Sequence, residues 1–164
     1  DRCNSAPVRA DKERGKTLML IMKAIATMKP RGTDPMGDGS FGASRGGRTH
    51  NGIDYASEPG DVILSPVAGK VTKLGYPYAN ALEYRYVEIT DNMQRKWRLF
   101  YVHPSVELGQ EITPAFPIGI TQDINAKRTV AGGQSYGEKG MTNHIHVEVK
   151  LADGSFMDPD EVFA

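Results

Sequence analysis

The stretch His144-Ile145-His146-Val147-Glu148-Val149-Lys150-Leu151 fixes the reading of the chain. Side chains on a β-strand alternate faces with period two, so His144 and His146 fall on one side and Ile145 on the other. The β-branched residues that follow keep the alternation, and a strand is the natural assignment. Shorter strand signals precede it at 62–64, 70–74, 84–90, 97–102 and 118–121. Pro66 with Gly69, Asp91-Asn92, Pro104 and Gly109 punctuate them, and Asp153-Gly154 supplies a tight hairpin turn after the last strand. These signals predict a mainly β fold with an antiparallel sheet or sandwich core.

The N-terminal part reads differently. Residues 1–16 are polar and charged, an arm, and Leu18, Ile21, Met22, Ile25 and Met28 then recur at helical spacing. This predicts a short amphipathic helix ended by Pro30 and Gly32, covering part of the core or docking over a cleft. The boundary falls at residue 32, giving an arm and helix over 1–32 and one domain over 33–164. Residues 32–47 contain six glycines and one proline, a loop leading toward His50.

Composition narrows the function. The 164 residues carry 20 basic and 20 acidic side chains and a formal net charge of zero, which leaves no electrostatic footprint for nucleic acid. No apolar run approaches the roughly 20 residues of a membrane span. Cys3 is the only cysteine, so no internal disulfide forms and cysteine ligation of a metal is excluded. Arg2 before it disfavours lipid attachment. The first residue is Asp1 and not methionine, which leaves an upstream signal or anchor open.

All four histidines lie in patterns suited to a metal-centred hydrolase. His50 and Asp54 form H-x3-D around Gly52, His144 and His146 form H-x-H, and His103 stands in Tyr101-Val102-His103-Pro104. Catalytic zinc sites combine three protein ligands with an open position, and two histidines with Asp54 meet that need. Two histidines are then left for acid-base and charge-stabilising work.

Residues 41–56, FGASRGGRTHNGIDYA, resemble the opening motif of the lysostaphin/LytM-type zinc peptidases. Residues 60–71 are similar to the family's G-x-x-V-x-A-x-x-x-G-x-V stretch, Tyr101-Val102-His103 to its Y-x-H, and 109–119 to its paired-glycine segment. His144-Ile145-His146-Val147-Glu148 resembles H-[LIV]-H-[FV]-E, and Asp158-Pro159 the closing D-P. The resemblance runs in order over about residues 37–164. It implies a LytM-type core, Zn2+ held by His50, Asp54 and His146, and His103 and His144 as the two catalytic histidines. It also implies a zinc metalloendopeptidase acting on bacterial peptidoglycan peptides outside the cytoplasm, as a periplasmic, secreted or virion-associated protein. A phage endolysin, a bacterial wall-remodelling enzyme and an enzyme delivered by a larger assembly share these marks.

Two departures stand out. Pro104 follows His103 where the family has leucine, so the strand should end at His103. The connection from Gly119 to His144 is longer than the family's and should border the site entrance. Arg45, Tyr55 and Asn143 are further candidates beside the motifs. The rival readings are a non-catalytic LytM-like zinc-binding module and an unrelated or structural metal site.

Overall fold

A computed structural model describes residues 22–128 and 132–163, and the fold is mainly β, as expected. Its largest sheet has the antiparallel order β10 (Glu111–Ile112), β6 (Gly69–Gly75), β7 (Tyr86–Asp91), β8 (Lys96–Phe100) and β12 (His144–Lys150). The far edge of β12 is shared by β4 (Gly52–Ala56) and β13 (Phe156–Met157). A second sheet runs β1 (Met22–Ala24), β5 (Val62–Leu64), β11 (Pro117–Thr121) and β9 (Val102–Pro104), antiparallel except for the parallel pair of β1 with β5. The short β2 (Thr33–Asp34) and β3 (Gly37–Asp38) pair separately. The expected strand at 62–64 is found as such, and Gly154, at φ 88°, lies in the turn between β12 and β13.

Period-two patterning explains which face each sheet buries. Ile145, Val147 and Val149 of β12 join Ile53 and Tyr55 of β4, Trp97 and Leu99 of β8, and Val87 and Ile89 of β7 in one buried cluster. Ile63, Val102 and Ile118 from the second sheet complete it. The alternate residues, Asp54, His144 and His146, are thereby left on the opposite face of the large sheet, and the core layer fixes their backbone.

The N-terminal helix is not what the described residues form. Met22–Ala24 is a strand whose register partners are Val62, Ile63 and Leu64, and Ile25–Thr27 is a single 3-10 turn. Ile25 and Met28 do enter the core. Their i, i+3 spacing suits one 3-10 turn as well as an α-helix, and pairing with β5 overrides local propensity. Positions 18–21 of the expected helix, and the arm before them, lie outside the described residues. The one α-helix among the described residues is α1 (Pro159–Phe163), at the opposite end of the chain, where Phe163 packs on Trp97.

The strand expected over 97–102 is broken at Tyr101, whose φ is +66°. Leu99 and Val102 are both fully buried, and the left-handed residue between them hands the chain from β8 in one sheet to β9 in the other. A bulky residue in this region carries about 1–3 kcal/mol of strain that the flanking burial must hold. Gly119 permits the transfer from the other side: a Cβ there would collide with the His103 carbonyl.

Candidate metal centre

His146 and Asp54 are direct cross-strand partners on β12 and β4, so the sheet register alone sets them side by side. His50 precedes β4 and is pinned by the loop before it, donating its backbone N–H to Ala43 O at 2.8 Å and accepting from Gly42 N at 2.9 Å. Gly52 sits between His50 and Asp54, against β12. A Cβ there would strike the Val147 carbonyl and approach the His146 ring, so a side chain would force the site apart.

The three groups converge on one point. His50 Nε2 lies 3.0 Å from His146 Nδ1, His146 Nδ1 lies 3.0 Å from Asp54 Oδ1, and His50 Nε2 lies 3.3 Å from that oxygen. Ligands on a tetrahedral zinc, at bond lengths near 2.0–2.1 Å, stand roughly 3.3 Å apart, so the triangle has the size of a single zinc site. The outer atoms are ordered too. His50 Nδ1 contacts Ser40 O at 2.9 Å, and because a carbonyl only accepts, the ring hydrogen sits there and Nε2 offers a lone pair inward. His146 Nε2 faces Glu148 Oε1 at 3.7 Å, which draws its hydrogen outward likewise.

Such a triangle requires a cation at its centre. Without metal a proton fills that need: burial acts to lower the His146 pKa, but Asp54 and Glu148 outweigh it and raise the value to about 9. Burial pushes the Asp54 carboxyl upward, yet the His146 and His50 rings hold it far below the usual carboxylate range.

The other oxygen, Asp54 Oδ2, accepts from Arg31 Nη1 at 3.0 Å and lies 3.6 Å from His144 Nε2. Arg31 is held by a two-pronged pair to Asp34, with both N···O distances 2.8 Å. His144 Nδ1 donates to Thr142 O at 2.8 Å, which leaves its Nε2 lone pair toward the site, and burial lowers its pKa.

These side chains open into a cleft of about 520 Å³, a size suited to one short segment of substrate. Its lining includes Arg45 and Arg48 and the rings of Tyr78, Phe100, Tyr101 and Tyr136. The long connection after Gly119 does border it, through Ile124, Tyr136 and Met141.

Of the five residues singled out from sequence, four gather here and one does not. His103 is exposed on β9, opposite Ile120 of β11, and is not among the residues lining the cleft. The side chain that enters instead is Tyr101, whose ring meets His144 edge-on at 5.7 Å. Asn143 and Tyr55 are structural: Asn143 bridges Ser57 O, Gln122 O and Ile124 N, and Tyr55 donates to Asp160. Arg45 lines the cleft and donates to Asp38 O. Arg31 escaped the sequence reading because its partners, Asp34 and Asp54, reveal it only once folded.

No protein-family model matches the chain, and no curated protein matches it. Solved structures do. The solution structure of lysostaphin is similar with a TM-score of 0.58 at 15% identity, over 75% of this chain and 47% of that one. The catalytic domain of lysostaphin, an antimicrobial peptidase from Staphylococcus simulans, gives 0.56 at 14% identity, over 75% and 87%. LytU gives 0.55 at 20% identity, over 75% and 80%. The chain has the lysostaphin/LytM fold, and it spans about half the length of the lysostaphin chain in the solution structure that it matches.

Proposed function

We propose that the chain is a zinc metalloendopeptidase of the lysostaphin/LytM family that hydrolyses peptide bonds in bacterial peptidoglycan outside the cytoplasm. The observation that carries this reading is the triangle of His50 Nε2, Asp54 Oδ1 and His146 Nδ1, two imidazole nitrogens and a carboxylate oxygen at zinc-ligand spacing on a cleft wall. These three residues would hold the metal. Zinc bound there supplies Lewis acidity, polarising a peptide carbonyl and making water nucleophilic near neutral pH. His144 supplies the proton acceptor: its inward Nε2 is free, its Nδ1 hydrogen is fixed on Thr142 O, and it touches Asp54 on the side away from the other two rings. Arg31 and Asp34 position the Asp54 carboxylate from behind.

Metal analysis joined to digestion of purified peptidoglycan tests the reading. The protein should carry about one zinc per chain and release new peptide termini, and His146→Ala should lose both. The displacement of His103 from the cleft favours a second reading, a non-catalytic zinc-binding module of the same fold. Full zinc occupancy with no digestion of any wall type would establish it.

A further inference from the structure

We infer that Arg45 and Arg48 form a fork in the cleft lining that binds a free carboxylate of the substrate, so that the peptide accepted there is an acidic one. The inference rests on the peptidase reading above. Gly46-Gly47 makes a two-residue turn, with Gly46 at φ 73°, Arg45 N donating to Arg48 O at 2.8 Å, and Ser44 bridging Thr49 in antiparallel register. Arg45 and Arg48 therefore stand directly opposite each other, with their side chains on one face of the hairpin. Both line the cleft. His50 follows Arg48 by two residues in the same hairpin, so the turn ties this pair of cations to the candidate metal centre.

Like charges directly opposite each other destabilise a hairpin unless an anion joins them. No carboxylate of the described residues does so. Arg45 donates to two backbone carbonyls, Ser44 O at 3.3 Å and Asp38 O, while the Asp38 carboxylate accepts from Ser40 N at 2.8 Å. Arg48 is exposed, and its guanidinium has no hydrogen-bond partner or ion pair among the described residues. The acids of the cleft are already engaged, Asp54 by Arg31 and the imidazoles and Glu148 by His146. Lys127 adds a further cation over two cleft rings, Tyr78 at 4.8 Å and Tyr136 at 5.5 Å. A chain of zero formal net charge thus gathers positive charge at one place, where it attracts an anionic ligand. The planar guanidinium meets a carboxylate with two parallel N–H bonds, and a peptide offers that group at acidic side chains and at its C-terminus.

The test uses the zinc-loaded full chain and purified peptidoglycan whose free carboxylates are either intact or converted to amides with carbodiimide and ammonia. Amidation should weaken co-sedimentation of the protein with the wall about 10-fold. The double variant Arg45→Gln, Arg48→Gln should keep its zinc, bind intact wall about 10-fold more weakly than the parent, and respond to amidation less than about twofold. Arg48→Lys should fall between the two, because an ammonium keeps the charge and loses the fork. Added salt should release the parent from intact wall more than it releases the double variant. Competition then sorts the source of the carboxylate: tetraglycine with a free C-terminus against amidated Gly-Glu-Gly-Gly, with amidated tetraglycine as the neutral control. A parent that binds both walls equally, or neither, overturns the inference, as does a double variant that keeps the parent's preference. A parent that digests both walls at one rate overturns it too and leaves the peptidase reading standing. Binding through the arginines with no digestion of any wall overturns the peptidase reading and leaves the carboxylate site.

Discussion

Asp54 and Asp91 are both buried carboxylates at the margins of the same sheet, 3% and 5% exposed, yet they are satisfied in opposite ways. Asp91 closes the β7–β8 hairpin with four N–H donors: Met93 N at 2.9 Å, Arg95 N at 3.0 Å, Arg95 Nε at 2.7 Å and Trp97 Nε1 at 3.1 Å. All four are fixed by the fold. Asp54 has one permanent donor, Arg31, and otherwise faces imidazole nitrogens that carry a hydrogen only when charged. A buried carboxylate ringed by donors is architecture, whereas one ringed by lone pairs needs an exchangeable cation.

Exchanging the two roles by mutation is the strongest test. Asp54→Asn should remove zinc and abolish peptidoglycan digestion, a loss of at least about 10³-fold, and should also lower the urea midpoint of the metal-free protein, because buried Arg31 and the His146 ring lose their anionic partner. Asp91→Ala should separate the two effects, costing about 3 kcal/mol in urea unfolding while zinc stoichiometry stays at the parent value. An Asp91 variant that loses metal without losing stability would erase the distinction.

Arg31→Gln sharpens it more finely. Among the described residues this side chain is the only permanent donor to the Asp54 carboxylate, and it also neutralises Asp34, so its loss should weaken zinc affinity about 10-fold, read by competition with a chromophoric chelator. Unchanged affinity would mean that the sheet alone positions Asp54.

The pH dependence should separate the two regions with the smallest effect. His146 in the metal-free protein has a raised pKa, so its contribution is complete below the unfolded value of about 6.5 and is lost as pH rises through about 9. Asp91 has a lowered pKa, set by Trp97 and Arg95 against the opposing effect of burial; its contribution is present above the unfolded value near 3.9 and is lost as pH falls through the folded one. Urea midpoints from pH 6 to 10 should therefore decline for metal-free protein and stay flatter with zinc bound. Equal slopes in both forms would contradict the assignment of a proton to the metal position.

What could be read in the sequence was whatever depends on local period. The H-x-H alternation on β12 and the 62–64 strand are short-range signals, and both survive folding. The gathering of His50, Asp54 and His146 was legible for the same reason, since H-x3-D spans a single loop and strand start. The break at Tyr101 was not, because alternation over 97–102 gives no warning of a positive φ. The helix expected through Met28 failed because the open edge of β5, 40 residues away in sequence, offered Met22–Ala24 a ladder that no local pattern records.

The attachment of β4 carries a kinetic consequence. This strand makes its ladder with β12 alone, and its other side is closed by bonds from Arg31 N to Asp54 O, Ala56 N to Lys29 O and Asp54 N to Gly39 O. Asp54 and His146, two of the three proposed metal donors, face each other across that single ladder, so an ion held by both would act as a rivet through the seam. Opening of the seam would then give the ion a route of escape, and the residence time of a bound metal would depend on how often the seam opens as well as on the ligand bonds.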